Sequence, residues 1–369
     1  MYLPVENAIL MKTTITGTGC YVPSIVTLNQ DFLEHDFYAE NGEAFDTHNE
    51  TIIEKFKAIT GIRERRYARK DLKASDLAGF AAENAIQDAK IDPETLDYII
   101  VAHNFGDVIH GENQGDMLPS LASRVKHLLR IENPECVAYD LIFGCPGWVE
   151  GMIQAQAFIK SGMAKRCMVI GAETLSRVVD CHDRDSMIFA DGAGATIIEA
   201  QDSEETDAPQ TGILAHHSAT FAMDEAYYLY FDKSNNQDSR HTDTRYIKMQ
   251  GRKVYEFACT EVPQAMKACL DKSDVSIDEV KKIFIHQANE KMDAAIIKRF
   301  YRLYGAQVPE NVMPMNIEKL GNSSVATVPT LLDMVRKGQV EGHALEEGDV
   351  VIFASVGAGM NINALVYRY

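Results

Sequence analysis

Apolar residues along this chain fall into two spacings that alternate from one end to the other. In DLAGFAAENAIQDAK (76–90) they recur every three to four positions, as on one face of a helix, and in LDYIIVAH (96–103) they run together, as in a strand buried on both faces. The pair of signals recurs in CVAYDLIF (136–143, strand), GWVEGMIQAQAFIKSG (147–162, helix) and CMVIGAE (167–173, strand). Past residue 250 the order returns: helix 255–273, strand 280–286, helix 323–338, strand 349–359. Alternation of this kind predicts an α/β fold with helices covering sheets.

Laid over one another, the two halves match in order. A helix and then IDPETLDYIIVAH in the first half answers a helix and then VSIDEVKKIFIH in the second. The Gly144-Cys145 turn with its helix likewise answers the Gly321-Asn322 turn with its helix, at an offset of about 180 residues. A period this long excludes a solenoid and points to two similar halves, 12–200 and 201–369. Two polar segments, 103–116 and 233–244, interrupt the pattern and read as loops or a lid, where substrate-specific parts tend to lie.

Composition narrows the function. The chain has 369 residues, 46% hydrophobic and 24% charged, and no run approaches the roughly 18–20 apolar residues that cross a bilayer. A formal charge of −18 excludes nucleic acid or anionic membrane as the main partner, so an acidic partner would need a local basic patch. Seven cysteines, none in CxxC spacing, argue against a disulfide framework or a zinc site and for reduced thiols in a cytoplasm. The opening MYLPVENAIL has no basic start and precedes Met11, so it reads as an upstream extension rather than a signal peptide.

Three residues stand out for chemistry. Cys145, in FGCPGWVEGM, sits between a strand and a helix, where the helix dipole and unpaired N–H groups favour a thiolate. His286 closes the strand KKIFIH, at the strand end where α/β proteins place working side chains. Asn322, in KLGNSSVATVP, follows a glycine into a helix. Taken singly, these read as a packed cysteine, a core histidine and a helix N-cap. The duplicated layout brings the Cys145 and Asn322 turns to equivalent places facing one pocket, with His286 on a neighbouring strand end. The glycine runs DGAGA (191–195) and GAGMN (357–361) fall short of a nucleotide loop and read as tight backbone packing.

With these residues in place the chain resembles the β-ketoacyl-[acyl-carrier-protein] synthase III family of thiolase-fold condensing enzymes. The resemblance runs from about Thr13 to the C-terminus. TGIRERRYA (60–68), the Cys145 turn, FADGAGATIIE (189–199), HQANEKM (286–292), GNSSVATVP (321–329) and SVGAGMNINALVYRY (355–369) occur in the family's order. It implies a five-layered αβαβα fold, a homodimer, no metal or cofactor, and acyl-CoA or acyl-carrier-protein thioesters as substrates. Cys145 would carry the acyl group, and His286 and Asn322 would stabilise the enolate left as a malonyl thioester loses CO2. Backbone N–H groups of Cys145, Gly357 and Ala358 would form the oxyanion hole.

Departures from the family pattern bear on the substrate. Lys55 and Ile59 stand where bacterial fatty-acid members place a tryptophan and an arginine against the coenzyme's adenine, while Arg184 roughly matches an arginine near its phosphates. An acyl carrier protein would land on Lys291 and Lys298, extended by Arg252 and Lys253. Leu118 matches a residue that caps the acyl pocket across the dimer, and with Met360 and Phe189 it would shape a roomier site. The competing expectations are acyl transfer or thioester hydrolysis without condensation, a non-catalytic partner subunit, and a synthase using Glu150 or Glu173 as a catalytic glutamate.

Overall fold

A computed structural model describes residues 12–112, 114–201, 210–239 and 243–369. The opening decapeptide lies outside the described residues. In the first half the elements are β1 (Lys12–Tyr21), β2 (Ile25–Leu28), α1 (Asn49–Thr60), β3 (Glu64–Tyr67), α2 (Ala74–Ala89), β4 (Tyr98–Ala102), β5 (Asp107–Val108), β6 (Gly115–Asp116), α3 (Leu121–Leu128), β7 (Val137–Leu141), α4 (Gly147–Lys160), β8 (Arg166–Thr174) and β9 (Asp191–Gln201). The second half adds β10 (Gly212–Thr220), β11 (Leu229–Lys233), β12 (Arg245–Met249), α5 (Gly251–Leu270), β13 (Val280–Ile285), α6 (Glu290–Leu303), α7 (Ile317–Leu320), α8 (Thr327–Arg336), β14 (Val350–Gly357) and β15 (Asn361–Arg368).

One sheet has the order β1-β9-β8-β4-β7 and the other β10-β15-β14-β13. Each joins parallel strands at one side to antiparallel strands at the other: β4 runs with β7 and β8 but β9 against β8, and β13 runs with β14 but β15 against it. The continuous apolar runs follow from burial on both faces. Along β4, Ile99 and Val101 join the core under α2 and α3, whereas Ile100 between them joins the core around α4 and α8. Along β13, Phe284 faces that same middle core while Ile283 and Ile285 pack under α5 and α6. Three of the four cores, separated by these two sheets, give the five-layered αβαβα thiolase-like architecture with α4 and α8 as the central helical layer, and the fourth packs around α1 and Phe189.

The internal repeat is visible in local geometry. A single 3₁₀ turn precedes the strand in both halves, Pro93–Thr95 before β4 and Ile277–Glu279 before β13, each capped by a side chain (Asp92 and Ser276). Gly144 and Gly321 hold nearly the same left-handed φ, 68° and 66°, at the turns into the central layer. Two expected helices differ in extent. The helix expected over 255–273 begins at Gly251, because the Val254 N–H already bonds to Gln250 O. The helix expected over 323–338 is broken: Ser324 has φ 52°, which no right-handed helix accommodates, so a 3₁₀ turn (Ser324–Ala326) precedes α8. Segment 103–116 carries the short β5–β6 pair, and 233–244 is the turn of the β11–β12 hairpin, with residues 113 and 240–242 outside the described set. Among the described residues no helix is long and apolar enough to cross a membrane.

Candidate active site

Cys145 stands at the head of α4, where Gly144 turns the chain and Pro146 occupies the N-cap. The turn is pressed against the end of β14: a side chain on Gly357 would lie 2.4 Å from the Cys145 nitrogen. Burial pushes the thiol up to about 11; the Ser324 hydroxyl, donating to Sγ at 3.2 Å, holds it down, and the nearby Glu173 carboxylate raises it. Burial thus favours the thiol of Cys145 at neutral pH rather than the thiolate its position suggests.

His286 lies just past β13, 4% exposed, its backbone N–H bonded to Ala354 O at 2.8 Å. Its Nδ1 pairs with the Thr327 hydroxyl at 2.8 Å, and burial pushes the imidazole down to about 4, so the ring is neutral at pH 7. Asn322 is stitched into the first half of the chain: its N–H bonds to Ile188 O (3.0 Å) and its carbonyl accepts from Ala190 N–H (2.8 Å). Its side-chain Oδ1 accepts the Ser324 N–H at 2.7 Å, which leaves the amide NH2 as a donor toward the cavity.

Ser324, Asn104 and Glu173 extend this site. Ser324 occupies the left-handed region, rare for a non-glycine residue, and is held there from several sides: its N–H by Asn322, its carbonyl by the Thr327 hydroxyl, its own hydroxyl by Cys145. Asn104 donates to Ser324 Oγ at 3.0 Å and to the Glu173 carboxyl. Glu173, 1% exposed, is pushed up to about 8 by burial. Asn104 was legible by the same rule as His286, since it follows the end of a buried strand. Ser324 lay inside the GNSS motif, but its left-handed backbone carries no sequence signal. Neither glutamate faces the cavity: Glu173 is sealed behind Asn104, and Glu150 binds Ser218 and Asn363.

Cys145, His286 and Asn322 line one cavity of about 1000 Å³ with Asn104, Ser324 and the 356–361 turn. Two segments match the descriptions "3-Oxoacyl-[acyl-carrier-protein (ACP)] synthase III" (residues 139–217) and its C-terminal counterpart (270–369). Over 363 residues, 98% of this chain and 100% of the relative, the sequence is 32% identical to a β-ketoacyl-[acyl-carrier-protein] synthase III of Erythrobacter litoralis. The chain belongs to the β-ketoacyl-[acyl-carrier-protein] synthase III family. A solved synthase III from Aquifex aeolicus superposes with a TM-score of 0.77 at 30% identity, covering 97% of this chain and 100% of that one. The priming β-ketosynthase of the R1128 polyketide pathway shares the fold at a TM-score of 0.77 and 23% identity, over 99% of this chain and 98% of that one. As a synthase III the chain is an acyltransferase of the condensing type.

The remaining residues singled out in the sequence of this synthase III fall in three places. Phe189 and the fully buried Met360 line the cavity, as do Gly357 and Ala358 beside Cys145. Arg184, stacked on the Phe45 ring at 5.1 Å, and Arg252, which pairs with Glu256, also line it, together with Lys55 and Ile59. Lys253 lies over Tyr228, outside the cavity lining, and Lys291 and Lys298 are exposed on α6, also outside it. Leu118, expected to cap the pocket of a partner copy, lies outside the cavity lining of its own chain. Arg124 clamps the preceding loop by bonding Asp107 and Asp116, and Leu118 emerges from it 88% exposed, away from the cavity lining. It could reach a pocket only in a second copy of the chain. DGAGA lies within β9 and GAGMN at the end of β14, so neither forms a phosphate loop. Among the described residues no group of three or more His, Cys, Asp or Glu could hold a metal ion.

Proposed function

We propose that this synthase III catalyses decarboxylative Claisen condensation of an acyl primer, carried on Cys145, with a malonyl-type thioester borne by an acyl carrier protein. The observation that carries the reading is the convergence on one cavity of a thiol, a neutral imidazole and an outward-facing amide. Cys145 Sγ attacks the primer thioester while its proton passes to the free nitrogen of His286, which returns it to the departing thiol. The Thr327 hydroxyl serves this role: directed at Ser324 O, it leaves Nδ1–H as the donor to its own oxygen and Nε2 bare. When solvent carries the ring proton from Nδ1 to Nε2, the hydroxyl turns to donate to the bare Nδ1 and Nε2–H becomes a donor.

In that second tautomer His286 and the Asn322 amide donate to the carbonyl oxygen of the incoming malonyl thioester. The C–C bond to the carboxylate breaks, CO2 leaves, and the electron pair enters an enolate held by these two donors. The enolate carbon attacks the acyl-cysteine. The tetrahedral oxyanion falls to backbone N–H groups of Cys145 and the Gly357–Ala358 turn, and collapse releases the β-ketoacyl thioester and the Cys145 thiolate, which takes back a proton. Losing one donor of this kind costs about 3–4 kcal/mol in the barrier. An acidic carrier protein would dock on local cations, with Arg184 and Arg252 at the cavity and Lys253, Lys291 and Lys298 around it.

The test follows CO2 release from carboxyl-labelled malonyl thioester with the acyl-enzyme preformed. Asn322→Ala is expected to keep acylation of Cys145 while losing about 100-fold or more in CO2 release, and His286→Ala to slow both acylation and CO2 release. Acylation with no CO2 release by the wild type would instead establish transfer or hydrolysis.

A further inference from the structure

The cavity lining combines polar and apolar residues. Glu40, Thr47, Lys55, Arg184, Arg252 and Asn289 supply charged and polar groups. Phe105, Ile142, Leu175, Leu229, Phe231 and Ile247 supply an aliphatic and aromatic wall. The wall adjoins the nucleophile. Ile142 lies three residues before Cys145, and Phe105 follows Asn104, which reaches Cys145 through the single Ser324 hydroxyl. Phe105 stacks on Phe231 with ring centroids 5.4 Å apart, joining this loop to the β11–β12 hairpin. Ile142 is 60% exposed and Phe231 38%, so the wall holds apolar surface that the chain's own core does not cover.

Volume fixes how much ligand such a site can take. At roughly 30 Å³ per water-sized group, an acetyl group of three heavy atoms fills about 90 Å³, a small part of the space. The pantetheine arm common to coenzyme A and carrier proteins, with about 18 heavy atoms, fills roughly 540 Å³ on the same scale. The remainder of the cavity of about 1000 Å³ has room for an acyl chain far longer than acetyl, up to about 14 carbons. An acetyl primer would leave the wall beside Cys145 facing water, whereas each methylene laid against it gains about fourfold in binding.

We infer that the primer loaded on Cys145 is a medium- to long-chain acyl group, bound along the Phe105–Ile142–Phe231 wall, rather than an acetyl group. This rests on the proposed acyl-cysteine mechanism and names its substrate class. Leu229 and Ile247, on neighbouring strands of the hairpin, set the length the site accepts.

The experiment offers acyl-pantetheine thioesters of 2, 4, 8, 10, 12, 14 and 16 carbons, which carry the shared arm and leave the carrier out of the comparison. Mass gain on Cys145 is timed for each at equal, sub-saturating concentration. The expected result is an optimum between 8 and 14 carbons, with acylation about 50-fold faster or more than from the acetyl thioester. Leu229→Trp, which fills the wall from a peripheral hairpin, is expected to shorten the optimum and lower the twelve-to-two-carbon rate ratio about tenfold. An optimum at two or four carbons overturns the inference and leaves the proposed function standing. An acyl adduct on no residue from any thioester overturns the acyl-cysteine mechanism itself, and the inference with it.

Discussion

Ser324 is the residue whose geometry most departs from what its type prefers. An L-residue at φ 52° is strained, and here three hydrogen bonds fix it so that its hydroxyl meets Cys145 Sγ. Because that hydroxyl holds the thiol's pKa down, Ser324→Ala should move the pH midpoint of Cys145 alkylation upward and slow single-turnover acylation about tenfold. Glu173 acts in the opposite sense. Its charge opposes the thiolate, so Glu173→Gln should alkylate faster than wild type at pH 9, as read by iodoacetamide kinetics. Its proton also links to stability. The native carboxyl holds its proton to about 8 against an ordinary 4.5, so unfolding releases a proton between those values and wild-type stability falls as pH rises through that window. The slope should be shallower in Glu173→Gln by denaturant titration. His286 gives the converse: pushed down to about 4 from 6.5, it binds fewer protons folded than unfolded, so it costs stability as pH falls from 6.5 toward 4. His286→Gln should flatten that acid limb.

At the scale of elements, the site depends on the turn from β7 into α4, on the turn from α7 toward α8, and on the close approach of the end of β14. Gly357 lets β14 end against the Cys145 turn; an added methyl would sit 2.4 Å from Cys145 N and 2.8 Å from Pro146 Cδ. Gly357→Ala should therefore lower stability by about 1–3 kcal/mol and reduce condensation, seen as a lower denaturation midpoint together with slower product formation. The elements carrying Cys145 and His286 were legible because each rests on a continuous apolar run, and Asn322 because a glycine precedes it at the turn into a helix. The break between Ser324 and α8 was not. The apolar spacing of SSVATVPTLLDMVRKG continues through it, and only contacts with Cys145, Asn322 and Thr327 impose the left-handed residue. The short β5–β6 pair was also hidden, since its polar residues carry no period and its shape comes from Arg124 bonding Asp107 and Asp116.

For the whole molecule, the repeat read from the order of elements proves to be two sheets enclosing a shared layer of α4 and α8, with the cavity where their turns meet. That layout was legible because a duplicated fold repeats its pattern. What occupies the cavity was less so. Cations spaced along α6 read as a landing site for an acidic carrier: Lys291 and Lys298 are exposed there, outside the cavity, while Arg184 and Arg252 line it. Leu118 projects from the chain that carries it, the geometry a residue read as capping a second copy's pocket requires. The most direct test of the account is intact-protein mass of wild type and Cys145→Ala after incubation with a twelve-carbon acyl-pantetheine thioester, followed by malonyl thioester. The account predicts one acyl group on the wild type, none on Cys145→Ala, and its loss on malonyl addition as the β-ketoacyl product forms. An adduct that persists in Cys145→Ala, or one that malonyl thioester fails to discharge, would contradict it.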